Sequence, residues 1–336
     1  MNRKLVVIIF ASLLLVLACS RTNKPAFSID GEDRSLAIKL AEIDGRFDPE
    51  INHVFISTKS YIINAAALIH HFRAIGGAMT SQLESFSPEH LSDLSRETAI
   101  DLIERKLLAN AAKKAGYEPD TAQINRFLEN EFRKIGGKEN YFRRIQSTGI
   151  DYNYYLKNLE DNDIIERYLR RETEKQVPGE ELLHEIWDEA RVVNFRHILI
   201  RARGLSDDNK LMAKRFADTL AQRISNGEKL ADLARTYSDD AKSRANGGEY
   251  KNIRRGMVEP VIEDYAFSMK TGEISPVFES RYGFHILELI SREANFNDFE
   301  TEAPGLGEEY FQSMKNRTFN DILNRLFAEE KLRIHN

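Results

Sequence analysis

Apolar positions recur at spacings of three and four through much of the first half of the chain, then give way near residue 195 to short runs of strand character. Residues 61–75 carry apolar side chains on most faces and predict a buried helix. Residues 88–115 open on Ser87-Pro88, a hydroxyl cap followed by proline at the first helical position, where its missing N–H leaves no bond unmade. Ile100, Ile103, Leu107 and Leu108 continue at helical spacing until Gly116 stops the run. A helix over 121–135 ends at Gly136-Gly137, and a long amphipathic helix is expected over 151–173. Pro178-Gly179 marks a break, a helix over 179–191 leads into the first strand, and residues 308–334 predict a closing helix.

The strand-like runs hold the chemistry. Residues 195–200 read FRHILI and residues 281–289 read RYGFHILEL, so His197 and His285 each sit inside an apolar run. Between them lie a helix-patterned stretch, Asp240, the Gly247-Gly248 pair, and a segment punctuated by Gly256 and Gly272. A lone histidine on an apolar strand is most simply a satisfied core residue. Two of them in register with an aspartate and a glycine turn call for more.

Composition narrows the class. With 42% hydrophobic and 30% charged residues the chain is a folded, soluble protein, and its 336 residues suffice for two or three units. A net charge of −5 with mixed signs leaves no nucleic-acid footprint. One cysteine, Cys19, rules out an intrachain disulfide and a cysteine metal cluster. No metal-ligand spacing, phosphate loop or hydrolase elbow is found, so neither metal nor cofactor is expected. His70-His71 are adjacent on a helix, do not share a face, and are read as solvated or core residues. Arg201 and Arg203 are read as a solvated charged edge.

Arg3-Lys4, an apolar run of about a dozen residues and the small residue Ala18 before Cys19 have the form of a secretory signal. The run is shorter than the roughly 20 residues that span a bilayer as a helix. The VLAC tetrapeptide resembles a bacterial lipobox, although Leu17 is bulkier than usual there, which implies that Cys19 is acylated and binds the bilayer. Ser20, in place of an aspartate, leans towards the periplasmic face of the outer membrane in a two-membrane cell.

The order and spacing of His197, Asp240, Gly247-Gly248, Gly256, Gly272 and His285 resemble the parvulin family of peptidyl-prolyl isomerases over about a hundred residues. The resemblance implies that the two histidines stand side by side on neighbouring central strands, with Asp240 and Ser280 completing a hydrogen-bonded catalytic group. Ser280 takes a position usually held by threonine if one residue near 278–279 is an insertion. It also implies a proline pocket lined by Tyr250, Ile253, Val258, Ile262 and Tyr282. Val258 and Ile262 stand where methionine and phenylalanine are common, and Glu249-Tyr250-Lys251 replaces the usual Asp-Leu-Gly after the two glycines. The missing third glycine is expected to alter that turn.

The helical part resembles the SurA and PrsA foldase families through residues 99–120, the Gly149–Tyr152 turn and the 177–199 junction. The expected organisation is α+β: signal peptide 1–18, lipidated tether 19–26, all-helical chaperone domain 27–190, parvulin domain 191–293 with a four-stranded antiparallel sheet and about four flanking helices, and a C-terminal segment 294–336 whose helix packs back on the chaperone domain. The expected function is an extracytoplasmic, membrane-anchored isomerase and chaperone, with unfolded or prolyl-containing polypeptides as partners. A homodimer is compatible with this reading. The alternative is a non-enzymatic holdase that keeps the parvulin shell.

Overall fold

In the computed structural model, residue 29 and residues 31–176, 192–293 and 299–335 are described. The expected signal peptide, Cys19 with its tether, and the helix expected over 179–191 lie outside the described residues. No helix among those described is long and apolar enough to cross a membrane.

Among the described residues, six α-helices precede the parvulin-like part: α1 (Gly31–Ala41), α2 (Ala65–Gly76), α3 (Pro88–Lys114), α4 (Thr121–Lys134), α5 (Lys138–Thr148) and α6 (Tyr152–Glu174). The Ser87 hydroxyl accepts the His90 N–H at the start of α3, and the Asp151 carboxylate accepts two N–H groups at the start of α6. The run over 61–75 is helical only from Ala65 onward. Its first residues form strand β2 (Ile62–Asn64), paired with β1 (Val54–Ser57). Two β-branched isoleucines favour the strand, and Asn64 caps α2 by accepting the Ala67 N–H.

The helical part is therefore not all helix. It contains a three-stranded antiparallel sheet in the order β2-β1-β7, whose last member, β7 (Arg333–Ile334), lies where a helix is expected. The closing helix, α10 (Phe299–Glu330), stops because Lys331 takes a positive φ and the Leu332 N–H turns back to Phe327 O. In α10, Ile322 and Leu323 pack with Leu108, Ala109 and Ala112 of α3 and with Ile164, Ile165, Tyr168 and Leu169 of α6.

Residues 192–293 form the second sheet, which is antiparallel and has four strands, β3 (Val192–Arg201), β4 (Glu249–Ile253), β5 (Phe278–Ser280) and β6 (Gly283–Glu293), in the order β4-β3-β6-β5. It is flanked by α7 (Asp207–Ser225), α8 (Leu230–Tyr237), α9 (Pro260–Ser268) and one short 3₁₀ turn (Arg244–Asn246). Alternation along the two central strands sends Ile198, Ile200, Phe284 and Ile286 towards α7 and α8. Val193, Phe195, Leu287 and Leu289 pack on the other side with Ile262, Ala266 and Phe267 of α9. By the same alternation His197 and His285 lie on this second face.

The two parts are docked closely. Arg203, expected as a solvated edge, has a side chain only 9% exposed, and it pairs with Glu97 at 2.9 Å, Asp101 at 2.8 Å and Glu104 at 3.1 Å, all on α3. The next residue, Gly204, has φ +73°, and a Cβ there would meet Arg96 Cγ at 2.4 Å. On the other flank, Arg317 of α10 forms a two-pronged pair with Asp264, and Ser313 donates to buried Glu263.

Candidate active site

The loop after α8 runs beside β3 and places Asp240. Ser238 Oγ accepts the Leu199 N–H at 3.1 Å, the Asp239 N–H donates to Leu199 O at 2.8 Å, and the Asp239 carboxylate accepts the Arg201 N–H at 2.8 Å. The chain then turns through Gly247 and Gly248, and the His197 N–H donates to Gly248 O. Gly248 has φ +80°, and a Cβ there would lie 2.1 Å from His197 O. Only glycine admits this approach. Lys251, where a third glycine is usual, keeps an ordinary φ. The positive φ falls on Asn252, a residue type that tolerates it.

His197 on β3 and His285 on β6 occupy diagonal positions across the central strand pair, with Leu287 opposite the first and Leu199 opposite the second. Their Nδ1 atoms are 3.2 Å apart. Asp240 Oδ2 accepts from His197 Nε2 at 3.0 Å, and Ser280 Oγ donates to His285 Nε2 at 2.7 Å. The four expected catalytic residues thus form one hydrogen-bonded line, Asp240–His197–His285–Ser280. The Tyr282 N–H closes its far end on Ser280 Oγ at 3.0 Å.

Two further hydroxyls converge on Asp240 Oδ2: Tyr250 OH at 2.8 Å, and Ser243 Oγ. Burial opposes the charge on Asp240, but hydrogen bonds from His197, Ser243 and Tyr250 outweigh it and hold the carboxyl well below its usual range. Burial pushes the Tyr250 phenol up, and the Asp240 charge adds to the shift. His285, 1% exposed, is pushed down to about 3 by burial, with His197 adding to the effect.

Ring packing fixes the imidazole planes. Tyr265, Phe278, His285 and His197 stack in sequence with centroid spacings of 4.0, 5.3 and 5.3 Å. Phe195 stacks on Tyr250 at 5.3 Å, and Tyr250 presents an edge contact to His197.

A cleft of about 560 Å³ opens over the histidines. Of the expected proline-pocket residues, Tyr250, Val258, Ile262 and Tyr282 line it together with Met257 and Phe195. Ile253 does not. Its side chain is in the core cluster with Val193 and Phe267, because the positive φ at Asn252 and a register shift against β3 turn it inward. Ser280 is buried behind His285 and does not reach the cleft wall. Sequence reasoning missed Ser243 and Phe278, and it cast Tyr250 as pocket lining only. The Asp240-x-x-Ser243 spacing within one turn was the available signal for Ser243.

His70 and His71 lie elsewhere, on α2. His71 Nδ1 is bonded to Tyr154 OH at 2.7 Å, and burial pushes its pKa down to about 4.

Residues 183–293 match the family described as PPIC-type PPIASE domain. The chain is 28% identical over 255 residues to the foldase protein PrsA of Caldanaerobacter subterraneus subsp. tengcongensis, covering 74% of each chain. It is 40% identical over 108 residues to the chaperone SurA of Chromohalobacter salexigens, covering 31% of this chain but only 24% of that relative. The crystal structure of the peptidylprolyl isomerase PrsA from Bacillus anthracis is similar over 70% of this chain and 98% of its own, at 16% identity and a TM-score of 0.39.

Proposed function

We propose that this chain, which carries a parvulin-type peptidyl-prolyl isomerase domain, is an extracytoplasmic foldase that isomerises prolyl bonds in secreted or outer-membrane polypeptides and shields them while they fold. The observation that carries the reading is the line Asp240–His197–His285–Ser280 beneath a cleft lined by Tyr250, Val258, Ile262 and Tyr282. Rotation about a peptide bond faces about 18–20 kcal/mol, and catalysis calls for no cofactor or covalent step. It calls for a slot that seats the pyrrolidine ring and for polar groups arranged to favour the twisted amide over the planar one.

In this reading the buried imidazoles are positioned dipoles, not proton carriers. His285 is held neutral by burial, and the ring stack prevents either imidazole from turning. Val258 and Ile262 make a shallower floor than methionine and phenylalanine would. That favours a second reading, in which the domain grips prolyl segments and turns over slowly. Anchoring through an acylated Cys19 belongs to the same proposal; a bacterial lipoprotein's several acyl chains would hold it at the membrane where clients emerge.

Proline-limited refolding of a model client, with wild type and with Asp240→Ala plus His285→Ala, tests the proposal. Acceleration of the slow phase by wild type alone supports isomerase action. Suppressed aggregation with an unchanged slow phase supports the slow-turnover reading instead. Loss of radiolabelled palmitate incorporation in Cys19→Ser tests the anchor.

A further inference from the structure

The isomerase cleft is not built by the isomerase domain alone. Glu97, on the third turn of α3 in the helical part, lines it alongside His197, Asp240 and Tyr282. Its position is held from two sides. Arg203 takes one carboxylate oxygen at 2.9 Å, while the other faces Arg201, also in the cleft wall, at 3.6 Å. Around Glu97, Arg96 donates to Arg203 O at 3.0 Å, and Gly204 packs against Arg96 and Ile100 without room for a Cβ. A carboxylate from one structural unit is thereby fixed in the substrate cleft of the other.

The charges lining the cleft can be set against one another. Glu97, Asp239, Asp240 and Glu259 supply carboxylates, and Arg201 and Lys242 are the cations. Arg203 stands behind the wall, 9% exposed, and is already shared with Asp101 and Glu104. Arg201 is itself engaged, its side chain on Asp239 O and Glu97. Without Glu97, Arg201 would face the cleft as an unmatched cation, able to pair with an acidic group beside the X-Pro peptide bond. With Glu97 in place the wall is anionic.

We infer that Glu97 is a specificity residue supplied by the helical part, which disfavours acidic residues next to the substrate proline and favours neutral or basic ones. The inference rests on the isomerase reading of the cleft and names the flanking chemistry it accepts. A group on a docked neighbour is well suited to this role, because it screens client segments without disturbing the histidine pair.

The test uses the full chain and two sets of short peptides, with Glu, Ala or Lys immediately before the proline in one and immediately after it in the other. Catalysed cis/trans exchange is read by NMR at low ionic strength. In wild type, kcat/KM for Lys peptides should exceed that for Glu peptides by roughly three- to tenfold in at least one set, the size of one partly screened charge interaction. Glu97→Gln, which keeps a hydrogen bond to Arg203, should bring that ratio towards one, whereas Arg201→Gln should widen it. A purely structural role for Glu97 would change all peptides alike. A wild-type ratio near one, or a ratio unmoved by Glu97→Gln, overturns the inference. If wild type catalyses none of the peptides, the isomerase reading fails by itself. The Kd values of the same peptides, from chemical-shift titration, then decide the charge preference by the same ordering.

Discussion

His197 and His285 meet through like atoms, Nδ1 to Nδ1 at 3.2 Å. Two such nitrogens bond only when one bears a proton and the other does not. Asp240 decides which. Its carboxylate accepts the Nε2–H of His197, so neutral His197 keeps a bare Nδ1, His285 donates from Nδ1, and His285 Nε2 is left to accept from Ser280. This assignment follows from the network, and it makes one carboxylate the source of proton order three groups away.

Replacing Asp240 by asparagine keeps the shape but offers N–H donors to His197 Nε2 and reverses the favoured tautomers. We expect kcat/KM to fall roughly 10- to 100-fold, as for a displaced catalytic group. Imidazole ¹⁵N shifts should show His197 and His285 exchanging their protonated nitrogens. Unchanged ¹⁵N shifts together with unchanged kcat/KM would contradict the assignment.

Tyr250 and Ser243 act on the same oxygen of Asp240. Hydrogen bonds to a charged group contribute about 1.5–3 kcal/mol. Tyr250→Phe should therefore raise the Asp240 pKa by roughly one to two units, and the double variant with Ser243→Ala should raise it further. Because the folded-state value is depressed, the associated stability is present above the unfolded carboxylate value and is lost as pH falls. The variants should lose part of it already at neutral pH. A titration of the Asp240 carboxyl carbon by NMR reads the shift directly, and a value no higher than in wild type counts against this role.

Much of this was legible in the sequence because the parvulin segment is dense with constrained positions. His197, Gly248 and His285 must sit where backbone approach and ring stacking leave no freedom, so residue type and spacing carried the information. The helical part was less legible for a physical reason. Strand β2 is three residues long and is decided by pairing with β1 and by the Asn64 cap, neither of which periodicity reports. Strand β7 pairs with a segment more than 270 residues away in sequence, as the Ile56–Ile334 register shows. Ile253 was misread because a left-handed Asn252 turned it inward, which a register argument from residue types could not anticipate. Arg203 and Glu97 belong to different units, and only their docking made one a buried ion-pair centre and the other a cleft residue.

His285 also predicts how stability depends on pH. Its folded-state pKa lies near 3, well below the ordinary 6.5, so below about 6.5 the unfolded chain takes up a proton that the folded chain refuses. His71, pushed down to about 4, acts in the same direction. Stability should be full above pH 6.5 and fall as pH drops from there towards 3, each group contributing a slope of at most about 1.4 kcal/mol per unit. Urea unfolding of wild type and His285→Asn between pH 4 and 7 checks this. The wild-type slope should be the steeper, and equal slopes would mean that His285 is not buried in its neutral form.

Glycine avoids two separable costs, a strained backbone and a steric clash. Gly248 and Gly272 share nearly the same φ, +80° and +82°, but an added Cβ at Gly272 meets nothing within 4 Å whereas at Gly248 it meets His197 O at 2.1 Å. Gly272→Ala should carry only the left-handed penalty of about 1–2 kcal/mol, with the site undisturbed. Gly248→Ala carries that penalty and must also push the backbone of β3 aside. β3 has little room to yield, because its other edge is paired with β6 from Val192 to Arg201. Overpacking of this kind adds about 1–3 kcal/mol. The movement falls on His197 itself, so isomerase activity should drop with stability in Gly248→Ala and survive in Gly272→Ala. Thermal unfolding beside kcat/KM for both variants makes the comparison. Equal losses in the two would show that the close approach of Gly248 to His197 does not set the geometry of the histidine pair.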